Sequence, residues 1–257
     1  MRDIDFGRTA QDYRRHRAGF PDELFARLAV YGIGIEGQHL LDLGTGTGSL
    51  ARGFARRGCR VVGLDPAINL TAQALELDRE AGVHIDYVTA SAEDTGLADG
   101  SFDVVTAGQC WHWFKRPLAA AECARLLRPG GTMLITHFDW LPLPGTVVEA
   151  SEQLILAHNP AWRGHGGCGI HWKWFADLSG AGFQALQSFS FDVDVPYSHD
   201  DWRGRISASA GVAASLSQEA VSQFDAEHAA MLAARFPHEP LHTPHRVFAL
   251  IGRRPYV

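Results

Sequence analysis

Short apolar runs alternate with amphipathic stretches along the first half of the chain. Five runs have the length and the bounding turns of buried strands: HLLDL (39–43), CRVVGLD (59–65), HIDYVTA (84–90), SFDVVTAG (101–108) and TMLITHF (132–138). The stretches between them predict helices over 47–57, 66–81 and 115–127. Regular alternation of strand and helix predicts right-handed crossovers, and therefore an α/β fold with a doubly wound, Rossmann-like, mostly parallel seven-stranded sheet.

The second half of the chain breaks this rhythm in two places. Residues 139–171 follow the fifth strand, and residues 197–244, with two predicted helices, follow a sixth strand in QALQSFSFDVDV. Because the carboxyl ends of the strands face the ligand crevice in an open α/β sheet, we expect both segments to be helical insertions that cover a substrate. The expected organisation is one domain over 1–257, with cap helices in 1–36 and a ligand-binding core in 37–138.

The charge balance argues against one class of partner. The 257 residues carry 23 Lys and Arg against 29 Asp and Glu, a formal net charge of -6, whereas nucleic-acid-binding proteins usually carry a basic face. The four cysteines form no CxxC pair, and the N-terminal MRDIDFGRTAQDYRRHR lacks the apolar core of a signal peptide. No apolar run reaches the ~20 residues of a membrane span. We therefore expect a soluble cytoplasmic protein without nucleic-acid or membrane partners, in an oligomeric state that the sequence leaves open.

The stretch LLDLGTGTGSL (40–50) has glycines at alternate positions after a buried strand, which lets a ligand approach the backbone closely. A phosphate-binding loop would end in GK[ST], and a dinucleotide loop would have a glycine where Ser49 stands. Asp42 precedes the loop, and an acid there favours an ammonium or sulfonium group over a phosphate. Asp65, at the end of VVGLD, is placed to bind ribose hydroxyls, although it could also cap the following helix.

Four motifs, in this order, resemble those of the class I S-adenosylmethionine-dependent methyltransferases: LLDLGTGTGSLA, VVGLDPA, ASAEDTGLADGSFDVV and LLRPGG. The resemblance covers residues 38–138, and the combination is far more specific than a single glycine motif. DYRRHRAGFP near the N-terminus and QCWHWF after the fourth strand are similar to a bacterial small-molecule subgroup of the methyltransferase type 11 kind. The resemblance implies S-adenosylmethionine as the cofactor and a small molecule as the methyl acceptor.

The resemblance also implies roles for individual residues. The glycine loop and its acid would lie against the methionine part of the cofactor, the segment after the second strand against the ribose, and the segment after the third strand against the adenine. Two residues of the N-terminal helix would close over the cofactor carboxylate, which an arginine can bind through two hydrogen bonds. The residues implied in cofactor binding are Tyr13, Arg17, Asp42, Gly44, Thr45, Gly46, Asp65, Pro66, Ala92, Glu93 and Gln109.

The stretch GQCWHW supplies a candidate catalytic base, His112. Methyl transfer from a sulfonium needs a base only when the acceptor must lose a proton, and histidine titrates near neutral pH. His112 could instead be a structural histidine beside Trp111 and Trp113. Amine methyltransferases that act on nucleobases often have an Asn/Asp-Pro-Pro-aromatic motif at this place. Its absence favours transfer to an oxygen or carbon of a small molecule.

A glycine-rich loop carries His165, Cys168 and His171 in the pattern H-x-x-C-x-x-H. Such residues can hold zinc, but no fourth ligand occurs at motif spacing, so we expect no metal and a lid with little to restrain it before a ligand binds. Two other functions stay open. One is an enzyme that uses the bound cofactor without transferring its methyl group, such as a cyclase. The other is a noncatalytic cofactor-binding partner subunit.

Overall fold

A computed structural model describes residues 19–256, and within that range the chain forms one seven-stranded sheet. The strands are β1 His39–Leu43, β2 Arg60–Leu64, β3 Asp86–Val88, β4 Phe102–Gly108, β5 Leu127–Trp140, β6 Gln184–Tyr197 and β7 Leu241–Arg253. The helices are α1 Asp22–Val30, α2 Ser49–Ala55, α3 Ile68–Ala81, α4 Arg116–Leu126, α5 Val147–His158, α6 Trp174–Gly180, α7 His199–Ser207 and α8 Gln218–Arg235, with a 3-10 turn at Trp111–Trp113.

The strand order is β3-β2-β1-β4-β5-β7-β6, and the pairs β3-β2, β2-β1, β1-β4 and β4-β5 are parallel. At one end of β5, Gly130 donates a hydrogen bond to the carbonyl of Arg254 (3.0 Å). At the other end, Leu141 donates to the carbonyl of Pro244 (2.8 Å). Residue numbers rise along one strand as they fall along the other, so β7 runs antiparallel to β5. This confirms the predicted doubly wound, mostly parallel sheet.

The centre of the sheet explains why its strands read as continuous apolar runs. Leu40, Leu41 and Leu43 of β1 have no exposed surface, although successive side chains of a strand point to opposite faces. A parallel strand with helices on both faces must bury both sets of side chains. The hydrophobic periodicity of HLLDL is therefore that of a central strand.

The boundary between α4 and β5 differs from the prediction. RPGG was expected to be a turn before a strand over 132–138, but β5 already begins at Leu127, which pairs with Phe102 of β4. The next pair along the ladder is Val104 with Thr132, so RPGG bulges out of the strand without ending it. Gly130 supplies the left-handed backbone conformation (φ 78°) that the bulge requires.

Contacts between residues divide the described chain into two compact units. The core unit consists of residues 19–137, 171–190 and 248–256. The insertion unit consists of Phe138–Ile170 and Phe191–Val247, close to the two segments that the sequence marked as insertions. The expectation of a single domain stays a prediction.

The insertion unit contains α7 and α8, the two helices predicted between 197 and 244, and also α5, which the sequence analysis did not assign. All three helices begin at a hydroxyl cap: the side chains of Thr146, Ser198 and Ser217 accept from the backbone N–H groups three residues later. Buried contacts join them, since the Ser151 hydroxyl in α5 lies 2.9 Å from both the Trp202 indole nitrogen and His228 Nε2. This unit therefore has a hydrogen-bonded core of its own.

Among residues 19–256, each helix is either too short or too polar to cross a lipid bilayer.

Glu122 of α4 is a buried acid that fixes the segment after β3. It accepts from the backbone N–H of Thr95 (3.0 Å) and from the Thr95 hydroxyl (2.6 Å), and it pairs with Arg125. The hydrogen bonds from Arg125 and Thr95 lower the pKa of Glu122 to about 2. Because its folded pKa lies below its usual value, the stability from Glu122 is present above pH 4.5 and is lost as pH falls towards 2.

We predict that Glu122→Gln lowers the free energy of unfolding by about 1–3 kcal/mol near pH 7, because the variant loses charge-assisted hydrogen bonds. Urea unfolding between pH 2 and 7 measures the effect, and the difference from wild type should shrink below pH 4.5. Glu36→Gln, at an exposed acid, is the control and should change little. Equal stability of wild type and Glu122→Gln across this pH range would contradict the assignment.

Candidate functional site

The glycine loop connects β1 to α2 through three left-handed residues, with φ of 59° at Gly44, 56° at Gly46 and 76° at Gly48. A side chain on Gly44 would also meet the Cys110 side chain at 2.9 Å. A side chain on Gly46 would meet nothing within 4 Å, so backbone conformation alone requires glycine there. The loop therefore requires a left-handed backbone conformation that glycine adopts with less strain than other residues.

Asp65, directly after β2, fastens this loop. One carboxylate oxygen accepts from the N–H of Gly46 (2.9 Å), and the other accepts from the N–H of Ala67 (2.9 Å). The side chain is buried, and burial raises its pKa although both hydrogen bonds oppose the rise. Asp65 does not cap α3 itself, because the cap residue is Ala67, and Asp65 only accepts from its N–H. Pro66 is exposed and precedes the helix by two residues, so the predicted start at 66 was early.

Asp42 lies below the loop, on β1, with 1% of its surface exposed. Its two oxygens accept hydrogen bonds from the hydroxyls of Thr45 and Thr106, each at 2.7 Å. Burial is the largest effect on this carboxyl and raises its pKa to about 6, with a smaller contribution from the charge of Asp65. The ionised form is therefore costly unless a positive charge is brought close.

Three residues that the sequence analysis missed brace the loop from behind. Asp78 of α3 accepts from Arg52 Nε (2.8 Å) and from the Tyr87 hydroxyl (2.8 Å). Arg52 in turn donates to the carbonyl of Thr47 in the loop (2.9 Å). The three side chains come from α2, α3 and β3, so no local motif marks them. Only the packing of these elements against one another brings them together.

The segment after β3 holds Ala92, which is buried, and Glu93, which is partly exposed. One oxygen of Glu93 accepts from the N–H of Lys115 (2.8 Å), the residue that precedes α4. Glu93 therefore fixes the start of α4 through one of its two carboxylate oxygens.

The segment after β4 brings the remaining predicted residues together in the core unit. Gln109 adopts a left-handed conformation (φ 63°), uncommon for a residue with a side chain, and its N–H donates to Thr136 (3.0 Å). His112 is exposed, and its Nδ1 lies 3.3 Å from Nε2 of the buried His137 in β5. The ring of His171 stacks on Trp174 at 3.9 Å and lies 4.6 Å from the ring of His137.

The histidine cluster was only partly predictable. His112 was identified from its place after the fourth strand, whereas His137 was read as one position of an apolar strand. The pattern TMLITHF carries no sign that its histidine faces another histidine 25 residues earlier.

The glycine-rich loop has more restraints than the sequence suggested. The N–H of Gly166 donates to the buried Glu152 (2.8 Å), and the carbonyl of Cys168 accepts from Arg246 (2.9 Å). The side chains of His165 and Cys168 are exposed. The expectation that little restrains this loop was therefore wrong at these positions. Tyr13 and Arg17 lie outside the described residues.

Comparison with known proteins identifies the kind of domain that contains this loop. Residues 41–135 match a family model described as a methyltransferase domain. The chain is 35% identical over 130 residues to a methyltransferase of Mycobacterium tuberculosis, which covers 51% of this chain and 50% of that protein. It is 36% identical over 135 residues to the ubiquinone biosynthesis O-methyltransferase of Xanthomonas campestris, which covers 52% of this chain and 56% of that protein. The matches thus span about half the length of these relatives.

A solved structure of a type II methyltransferase candidate from Anaeromyxobacter dehalogenans is similar over a longer range. It superimposes with a TM-score of 0.68 and 26% sequence identity over 93% of this chain and 98% of that chain. The similarity therefore includes segments outside the matched domain.

We predict that the unfolding free energy of the protein without ligand depends on pH because of Asp42. Because its pKa is raised on folding, the folded state holds this proton more tightly, and stability is lost as pH rises from about 4 to about 6. The stability of wild type relative to Asp42→Asn should fall by about 3 kcal/mol across that range and then stay level. Denaturant unfolding at several pH values measures it, with the exposed Asp86→Asn as control. A difference that does not change with pH would contradict the burial argument.

The glycine loop, the acid that fastens it and the order of the strands occur in this chain together with a matched methyltransferase domain. Residues 41–135 are a methyltransferase domain, and the relatives and structural neighbours indicate a class I S-adenosylmethionine-dependent methyltransferase, with S-adenosylmethionine as cofactor.

Proposed function

We propose that the protein transfers the methyl group of S-adenosylmethionine to an oxygen or carbon atom of a small molecule. The observation that carries this proposal is the pair of buried acids at the glycine loop, Asp42 and Asp65. Both have raised pKa values because burial disfavours their charge, and the groups bound to them are neutral hydroxyls and N–H groups. A nucleoside with a cationic tail supplies what such a site lacks: ribose hydroxyls as donors and a positive charge.

Asp65 is proposed to hold the ribose. Each of its oxygens accepts one backbone hydrogen bond and has a further lone pair, so that two ribose hydroxyls can donate to it. The backbone at Gly44, Thr45 and Gly46 would lie against the methionine part, above Asp42. Gln109 is also assigned to the methionine part, and the segment around Pro66 to the ribose. Ala92 and Glu93 are assigned to the adenine.

Asp42 is proposed to act through its charge. Both of its oxygens are already bound by hydroxyls, so its effect on the cofactor is electrostatic and needs no direct contact. The ammonium and sulfonium groups of the cofactor favour the ionised form of Asp42, which burial otherwise disfavours. The absence of a neutralising side chain among its hydrogen-bond partners thus has a function in selecting a cation.

His112 is proposed as the base that takes a proton from the acceptor. A neutral histidine acts as a base through one nitrogen only if the other carries the proton. If Nδ1 of His112 donates to Nε2 of His137, at 3.3 Å, Nε2 of His112 carries the lone pair that a base requires. His137 would then be a positioning residue that sets the tautomer and direction of the base.

The organisation of the chain fits this proposal. The core unit contains the described residues assigned to the cofactor, and we propose that the insertion unit contributes the acceptor specificity. Tyr13 and Arg17 are proposed to close over the cofactor carboxylate, as the resemblance to the subgroup implies. We further propose that the protein acts on a small metabolite, without nucleic acid or membrane as partner, in the cytoplasm.

The proposal is tested by incubating the purified chain with S-adenosylmethionine and a panel of hydroxylated and carbon-acid metabolites. Mass spectrometry should show an acceptor heavier by one methylene group together with S-adenosylhomocysteine. A product of unchanged mass would support a cyclase-type reaction. Cofactor binding without turnover, restored by a second protein, would support a partner subunit.

We predict that Asp65→Ala weakens S-adenosylmethionine binding about 10- to 150-fold, since hydrogen bonds to a charged acceptor contribute roughly 1.5–3 kcal/mol. Titration calorimetry measures it, and Asp65→Asn, which keeps one acceptor oxygen, should lose less. Asp86→Ala, an exposed acid on β3, is the matched control. Unchanged affinity in a folded Asp65→Ala protein would refute the ribose assignment.

We also predict that His112→Asn lowers kcat about 10²- to 10⁴-fold for an acceptor that must lose a proton, and leaves cofactor affinity unchanged. The rise of kcat with pH near neutrality should disappear in this variant. His137→Gln, which keeps an acceptor for His112, should retain more activity than His137→Leu. His84→Asn is the control at an exposed histidine. Full activity of His112→Asn would make the histidine structural.

A further inference from the structure

Arg205 in α7 differs from two other arginines of the insertion unit. Arg203 is held by both carboxylate oxygens of Asp225, and Arg246 by both oxygens of Asp192 at 2.6 and 2.7 Å. These carboxylates raise the pKa of both guanidinium groups. Among residues 19–256, Arg205 makes no ion pair of this kind.

The guanidinium of Arg205 lies on an aromatic ring, with Cζ 4.6 Å from the centroid of Trp140. A hydrogen bond with Tyr197 and the charge of Asp139 favour its ionised form, but burial outweighs both and lowers its pKa. The residue as a whole nevertheless keeps some exposed surface. Among residues 19–256, the groups near Arg205 therefore compensate its charge incompletely.

Trp140 is fixed in its orientation. Its indole N–H donates to Glu152 (2.7 Å), whose carboxylate is 5% exposed and also accepts from the N–H of Gly166 (2.8 Å). The edge-to-face contact with Trp202, at 5.8 Å between ring centroids, packs the ring further. A guanidinium stacked on a fixed ring loses little freedom when it binds a ligand, because its plane is already set.

A second polar group lies one turn beyond Arg205. The hydroxyl of Ser209 is buried, at 8% exposure of the residue, and it has no hydrogen-bond partner among residues 19–256. Buried hydroxyls are nearly always paired, so this one requires an explanation such as a ligand or water. Ser209 follows α7 by two residues, and its N–H donates to the carbonyl of Ile206 (3.0 Å), so the chain is still turning at Ser209.

We propose that Arg205, stacked on Trp140, binds the carboxylate of a small organic acid, and that the Ser209 hydroxyl donates to the same ligand. The inference goes beyond the proposed function, because it concerns a ligand of the insertion unit.

The charge at this site selects a monoanion. A guanidinium offers two parallel N–H donors that match the two oxygens of a carboxylate. Arg205 is a single cation, and Asp139 already opposes part of its charge. A phosphate dianion would meet less positive charge than it carries, so a carboxylate is the better match in charge and geometry.

Titration calorimetry of the full chain with three probes tests this assignment: benzoate, the neutral benzamide, and inorganic phosphate. We expect benzoate to bind at least 10-fold more tightly than benzamide, and phosphate to bind more weakly than benzoate. Arg205→Gln should abolish the preference for benzoate, and Arg205→Lys, which keeps the charge without the fork, should reduce it. Arg203→Gln is the matched control in the same helix and should keep the preference.

Three results would overturn the inference: equal binding of benzoate and benzamide to wild type, a preference that persists in Arg205→Gln, or tighter binding of phosphate. If Arg205→Gln does not fold, the wild-type comparison and Arg205→Lys decide. S-adenosylmethionine binding and turnover are measured on the same samples. If the protein consumes S-adenosylmethionine but does not bind benzoate more tightly than benzamide, this inference fails and the proposed function stands. If benzoate is preferred through Arg205 but S-adenosylmethionine is not consumed with any acceptor, the proposed function fails.

Discussion

The hydrogen bonds of Asp65 are the constraint on which the glycine loop, our proposed cofactor site, depends. This one carboxylate joins the Gly46 N–H of the loop after β1 to the Ala67 N–H at the start of α3. The two segments follow neighbouring parallel strands, so the bond fixes the loop relative to the sheet edge. A glycine loop has many accessible conformations, and without such an anchor its ordering would cost more conformational entropy. In the proposed site, the loop is therefore ordered by hydrogen bonds inside the protein before a cofactor binds.

The electrostatics of the core unit extend this argument. The bracing acid Asp78 has an arginine partner, whereas the donors that bind Asp42 and Asp65 within residues 19–256 are neutral. Burial raises the pKa of both, and each is more stable in its ionised form when a cation is near. The paired acid thus stabilises the loop, and the two acids with neutral partners are the ones that we propose for cofactor recognition. Pairing Asp42 with a lysine or arginine would stabilise the empty protein and oppose a cationic cofactor.

In the insertion unit, the contrast between groups with and without an ion-pair partner is among arginines instead of acids. Arg203 and Arg246 are bound by carboxylates and serve the packing of the unit, while Arg205 rests on an indole face. The family model matches residues 41–135, which belong to the core unit, and leaves the insertion unit unmatched. Within the insertion unit, Arg205 is the cation to which we assign an acid ligand.

Sequence alone determined the alternation of strands and helices, the glycine loop and the two acids near it, because each depends on short-range periodicity or on a compact motif. It also placed His112 after the fourth strand, in the position that the structure gives it. Tertiary structure decided the features that depend on residues far apart in the chain. These are the bulge of RPGG within β5, the Arg52–Asp78–Tyr87 brace, the His112–His137 contact and the stack of Arg205 on Trp140. These contacts join residues far apart in the chain, and no local pattern encodes which of them will meet.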